Sequence, residues 1–255
     1  MKNLNQNSIV IQILVQFNPN INIHNKGVLY SAPFLIKKIN QMKLIKPYFE
    51  IEPFNASLMM RNIEKAGRTC YKSEDKITND SADKFVEMLL SKGHESVIEH
   101  EKITVRIICD RGVSHELVRH RIASFSQEST RYCNYSKDKY DNEIIFIIPP
   151  WLNLKQGKYT CSELISTDRD VWLRNMKDSE LDYMYLTQVH GWSAQKARSV
   201  LPNALKTEIV ITANLREWRE IFRQRTAPVA HPQVREIMIP LLETLQKRLP
   251  IIFNI

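Results

Sequence analysis

The stretch Arg119-His120-Arg121-Ile122-Ala123-Ser124-Phe125-Ser126-Gln127-Glu128-Ser129-Thr130-Arg131-Tyr132 sets three cationic or protonatable side chains side by side and ends a polar run on another arginine. Adjacent residues on a helix point about 100° apart, so Arg119, His120 and Arg121 cannot serve one face and must fan out from a helix end or a loop. Such a fan suits a ligand with several separate anionic groups. Arginine's planar fork holds a phosphate or a carboxyl-like edge through paired hydrogen bonds, and Ser126, Gln127 and Ser129 can complete a polar cradle around a heterocycle. Taken alone, the cluster also reads as a solvated surface or a structural ion-pair network.

Working outward, Ile103, Val105, Ile107 and Cys109 alternate with Thr104, Arg106 and Ile108, a strand's period that leads to the fan through a helix begun at Asp110. Downstream, the β-branched run 207–213 is followed by Asn214, a cap for a helix carrying Trp218, Ile221 and Phe222. Farther out, 44–52 reads as one strand, and Asn55 as the cap of a helix through Met59, Ile63 and Ala66. A second helix is expected over 78–92, with Asp80 or Ser81 near its start and Gly93 as its stop. Residues 144–148 read as a strand, 168–190 as a long helix, 193–200 as a shorter one stopped by Pro202, and 232–249 as a last amphipathic helix. The order predicts an α/β class with a mixed sheet and interspersed helices, not a Rossmann fold, because the regular βαβ rhythm is missing.

A chain of 255 residues with 43% apolar content can bury a sizeable core. Its formal charge of +8 suggests a polyanionic partner, yet Lys2, Lys26, Lys37 and Lys38, in a 1–41 segment without any acid, supply half of it. The body is only modestly basic, which favours small anionic ligands over nucleic acid. Residues 1–41 are asparagine-rich and lack arginine, and they read as an N-terminal extension, disordered or ahead of a start at Met42, to a single domain over 42–255. Cys70, Cys109, Cys133 and Cys161 form no C-x-x-C pair and follow no secretory signal, so reduced thiols in a cytoplasmic protein are expected. No apolar run reaches the length of a membrane span.

The six glycines make neither G-x-G-x-x-G nor a P-loop, so a dinucleotide would have to be held by side chains. Neither His94 with His100 nor His115 with His120 has the i,i+4 spacing of a helical zinc pair, and no metal is expected. Ser129 lacks a neighbouring histidine and acid that would activate it, so it reads as a hydrogen-bonding hydroxyl rather than a nucleophile. Trp192 and Trp218 read as packing residues.

Arg-His-Arg, seven residues, then Ser129 resembles the signature of the flavin-dependent thymidylate synthases, as does the Arg131-Tyr132 pair. Two flanking blocks resemble the same family: Gly93-His94-Glu95-Ser96-Val97-Ile98-Glu99-His100 upstream, and Asn214-Leu215-Arg216-Glu217-Trp218 with Arg223-Gln224-Arg225-Thr226 downstream. The likeness runs from about residue 44 to the C-terminus. Three positions depart from the family's habit: Glu116 stands where glutamine is common, Ser126 where asparagine is, and Glu220 where a neutral flavin contact is.

The resemblance implies that family's fold and the reductive methylation of dUMP to dTMP, with FAD as cofactor and NADPH and methylenetetrahydrofolate as co-substrates. It implies flavin contacts from Ser96, Arg119, His120, Arg121, Gln127, Asn214, Leu215 and Arg216, and dUMP contacts from Glu116, Arg119, Gln127, Glu128, Ser129, Arg131, Arg198 and Arg225. His94 falls in its active-site wall, and Arg225 takes the catalytic task of favouring the N3-ionised uracil. A homotetramer with sites shared between subunits is implied too. The rival reading is a non-enzymatic nucleotide- or RNA-binding protein, against which no single-strand stacking motif appears.

Overall fold

The computed structural model describes residues 41–160 and 165–255, so the 1–40 part of the extension and Cys161 lie outside the described residues. The described chain opens with two short strands, β1 (Met42–Ile45) and β2 (Tyr48–Ile51), followed by helices α1 (Ala56–Thr69) and α2 (Ala82–Ser91). Strand β3 (Lys102–Asp110) leads into helix α3 (Arg111–Leu117) and strand β4 (Ala123–Gln127). Then come β5 (Ile145–Ile147), β6 (Gly157–Tyr159), α4 (Asp168–Gln188), α5 (Ala194–Ala197), β7 (Lys206–Asn214), α6 (Leu215–Arg225), α7 (Pro232–Arg248) and α8 (Pro250–Phe253).

Two sheets result. Four strands pair antiparallel in the order β2-β3-β7-β4, and three form a smaller mixed sheet in the order β5-β1-β6. The expected single strand over 44–52 is therefore two strands in different sheets. Pro47 explains the break: it has no N–H to continue a ladder.

The alternation in β3 does what its period demands. Ile103, Val105 and Ile107 are buried on one face, while on the other Thr104 meets the Thr212 hydroxyl at 2.8 Å and Arg106 lies 3.3 Å from Glu208. Helices cover the apolar face, and Trp218 is fully buried there, donating its indole N–H to the Ile103 carbonyl at 2.9 Å and stacking on Phe222. Each large apolar side chain hidden in this layer contributes about 1.5–3 kcal/mol. A second core, with Met42, Leu44, Phe146, Leu173 and Tyr183, lies between the small sheet and α4. The small sheet is joined to the chain entering β7 where Phe146 bridges to Leu205 and the Ile147 amide donates to the Ala204 carbonyl at 2.9 Å.

Asn55, Asp110 and Asn214 cap α1, α3 and α6 as the sequence predicts, each side chain accepting from the amide three residues on. Ser81 holds the position ahead of α2, but its hydroxyl donates to Glu64 at 2.9 Å instead of capping. Glu64 in turn forms a buried 2.7 Å pair with Arg68, whose guanidinium lies over the Phe85 ring. Gly67 makes that helix contact possible, since a Cβ there would fall 2.8 Å from Phe85. Two strands lay beyond the sequence expectation: β6, three residues long, and β4, inside the opening stretch itself.

Candidate active site

α3 starts on the Asp110 cap and ends after Leu117, and the chain crosses Arg119, His120 and Arg121 before turning into β4. The fan therefore occupies a helix-to-strand connection, and its members diverge. Arg119 and Arg121 are exposed, whereas His120 is only 6% exposed and turned inward. Neither exposed guanidinium has a hydrogen-bond or ion-pair partner among the described residues. β4 then alternates strictly, with Ala123, Phe125 and Gln127 facing inward and Ser124 and Ser126 outward.

Arg225, the last residue of α6, closes on the fan from the opposite side. Its Nε–H donates to His120 Nε2 at 3.0 Å, Nη1 to Glu116 Oε2 at 2.8 Å, and Nη2 to the Glu116 carbonyl at 2.9 Å. Its place at a helix C-terminus suits a cation. His120 Nδ1 stands 3.7 Å from Glu217. Burial and the Arg225 charge hold the His120 imidazole below its ordinary pKa, with Glu220 opposing them, while burial and the nearby Glu220 raise that of Glu217.

At the start of α6, Asn214 spends its side-chain oxygen on the Glu217 amide at 2.8 Å, leaving its NH2 group without a hydrogen-bond partner among the described residues. Leu215 is fully buried in the core. Arg216 pairs with Glu99 at 2.6 Å, and Arg216, Arg219 and Arg223, at i, i+3 and i+7, all reach Glu95 within 3.6 Å. His94 and Ser96 lie exposed on the same segment as these acids. Glu95 and Glu99 were missed in the sequence reading, although two acids four apart opposite a basic helix stripe carried the signal.

The remaining expected residues gather elsewhere. Gln127 donates to the Ser114 hydroxyl at 2.8 Å and to Thr207 at 3.2 Å, so its amide is engaged within the chain. Glu128 accepts from the Tyr135 hydroxyl and from Lys206, both at 3.0 Å. Burial works against the Lys206 charge, but its bonds to Glu208 and Glu128 outweigh that and lift its pKa. Ser129 accepts from the Arg131 amide at 3.3 Å, and Arg131 Nε–H bonds Gln195 at 2.8 Å, three residues before the exposed Arg198.

Sheet register separates these groups. Ala123 pairs with Ala213 and Gln127 with Ile209, so the fan lies at the Asn214 end of β7 and Glu128 at the Lys206 end. β4 itself, from Ala123 to Gln127, spans about 13 Å. Of the residues expected to hold flavin, all but Gln127 collect at the Asn214 end of β7, whereas Gln127 lies with Glu128, Ser129, Arg131 and Arg198 toward the Lys206 end. Among the described residues, no group of three or more His, Cys, Asp or Glu is arranged to hold a metal ion, and no helix is long and apolar enough to cross a membrane.

Fold and site together define an α/β protein that gathers arginine side chains at helix ends and carries no G-x-G-x-x-G or P-loop sequence. A family model described as thymidylate synthase complementing protein matches residues 57–251. The flavin-dependent thymidylate synthase of Pyrococcus furiosus is 34% identical over 187 residues, covering 71% of this chain and 70% of that protein. That of Corynebacterium diphtheriae is 31% identical over 207 residues, covering 75% and 77%. The chain belongs to the flavin-dependent thymidylate synthase family. Its fold is shared with Helicobacter pylori thymidylate synthase X, solved with FAD and dUMP, at a TM-score of 0.61 and 19% identity over 82% of this chain and 97% of that one. A UMP/dUMP methylase, PolB from Streptomyces cacaoi, superposes at 0.63 and 20% identity over 84% and 95%.

Proposed function

We propose that this chain reductively methylates dUMP to dTMP, with methylenetetrahydrofolate as carbon donor and NADPH as the source of reducing equivalents. The observation that carries this reading, beside the family membership, is Arg225 held at a helix end between Glu116 and His120 while the exposed Arg119 and Arg121 guanidinium groups have no partner among the described residues.

The residues present fit FAD. Its pyrophosphate calls for unspent cations, which Arg119 and Arg121 offer, and its ring edges call for donors such as the Asn214 amide and the Ser96 hydroxyl. When bound, FAD supplies the hydride. Arg225 keeps two of its five N–H groups for a ligand. Set against uracil N3 and a flanking carbonyl, they stabilise the ionised ring and push electron density toward carbon 5. A unit charge pair at about 4 Å and an effective dielectric near 20 is worth about 4 kcal/mol, and Glu116 on the same guanidinium draws part of that away.

Glu128, Ser129, Arg131 and Arg198 then hold the nucleotide. Because they sit toward the far end of β7 from the fan, a nucleotide held there would meet the flavin and the Arg225 of another subunit, which supports a site shared between subunits; the homotetramer itself is what the family resemblance implies. The test is the visible spectrum of the purified protein, followed by an assay for NADPH- and folate-dependent methylation of dUMP. A yellow protein that forms dTMP is expected; a colourless one that binds dUMP without turnover would favour a nucleotide-binding module instead.

A further inference from the structure

The inward turn of His120 sets it apart from its two arginine neighbours. Its Nε2 accepts from Arg225 Nε–H at 3.0 Å, which requires an unprotonated Nε2 and places the imidazole proton on Nδ1, facing Glu217 Oε1 at 3.7 Å. Glu116 fixes the other edge of the same guanidinium through its carboxylate and its carbonyl. Held at both edges, the group has one orientation available for its two remaining N–H bonds.

Resting on the function proposed above, we propose that His120 is a positioning residue that aims the Arg225 guanidinium at the substrate base as long as its imidazole is neutral, with Glu217 selecting the tautomer. Protonation would set N–H against N–H and cation against cation across 3.0 Å. The contact would break. Among the described residues the charged groups set against His120 are Arg225, Glu217 and Glu220 on α6, with Glu116 on α3 bound to the far edge of Arg225 and with Arg119 and Arg121 on either side in the chain. Burial and Arg225 favour the neutral ring, and Glu220 opposes them. The folded pKa lies below the ordinary value of about 6.5, so the neutral contact is fully present above that value and is lost as pH falls through the lower folded one.

The test uses flavin-loaded protein carrying His120→Gln or His120→Leu. Glutamine places a neutral acceptor near the position of Nε2 and gains no proton; leucine removes the acceptor. Two readouts are taken across pH: the Arg225 Nε–H resonance in 15N-labelled protein, and kcat and KM for dUMP. In the wild type the resonance and kcat should fade together on the acid side. His120→Leu should lose the resonance and about tenfold in kcat at every pH, with flavin content retained, and His120→Gln should recover most of both without that acid limb. Loss of flavin from both variants would overturn the proposal in favour of a direct cofactor contact, and so would a wild-type resonance and acid limb persisting in His120→Leu. The resonance needs no turnover, so an inactive wild-type protein whose Arg225 signal still follows His120 would sink the proposed reaction while leaving the contact in place.

Discussion

Arg119 and Arg225 differ in what they already hold. Arg119 is exposed and its guanidinium has no partner among the described residues, so it is available to a ligand; Arg225 is tied to Glu116 and His120. Arg119→Ala is therefore expected to weaken both FAD and dUMP, by about 1.5–3 kcal/mol for each charge-assisted bond lost, without a change in melting temperature. Arg225→Ala should lower turnover more than flavin retention. It should also cost about 1–3 kcal/mol of stability, because Glu116 keeps a half-buried carboxylate with no cation on it. Titrating FAD and dUMP separately into each variant, beside a thermal melt, checks the division; the same loss of both ligands in both variants would contradict it. The Arg-His-Arg run was legible as a fan because consecutive residues cannot share a face. That its middle member turns into the core was not legible, since it depends on Arg225 and Glu217, about a hundred positions away in sequence.

Asn214 stands where strand becomes helix, and both roles expected of it are compatible because they use different atoms. Its oxygen accepts from the Glu217 amide, while its NH2 group can face a ligand. Asn214→Asp should keep the cap and its stability, since aspartate caps as well as asparagine, yet lose the donor and weaken FAD. Asn214→Ala should lose both, with about 1 kcal/mol from the missing cap. Melting temperature and FAD titration on the two variants separate the effects; equal FAD affinity in Asn214→Asp and the parent would remove Asn214 from the cofactor site. Caps of this kind were the most legible elements here, because Asn55, Asp110 and Asn214 act on amides three residues away. Strands were less so: Ala123–Gln127 alternates in burial, but Ala, Ser and Gln carry too little hydrophobic contrast to announce it. The split of 44–52 turned on which sheet each half joins, a choice made by distant strands.

At the scale of the whole molecule, the positions expected to bind ligands run from His94 to Arg225, and the family match covers 57–251. The sequence showed that one site must draw on most of the chain, but could not show that β7 carries its parts to opposite ends. Residues 1–40 contain none of those positions. The boundary itself is finely placed. Met42 opens β1 with a fully buried side chain, and the Gln41 carbonyl accepts from the buried Lys177 ammonium at 3.4 Å. A chain shortened to begin at Gln41 should therefore match the full-length protein in flavin content, turnover and melting temperature. One beginning at Met42 should keep its activity but lose stability, because Lys177 gives up an acceptor and a charged α-amino group arrives beside the second core; the lost bond accounts for about 0.5–1.5 kcal/mol. Thermal melts of the three lengths decide between these outcomes. A large loss of flavin or turnover on removing only 1–40 would mean that the segment takes part in the assembled enzyme, and the domain boundary would have to move upstream.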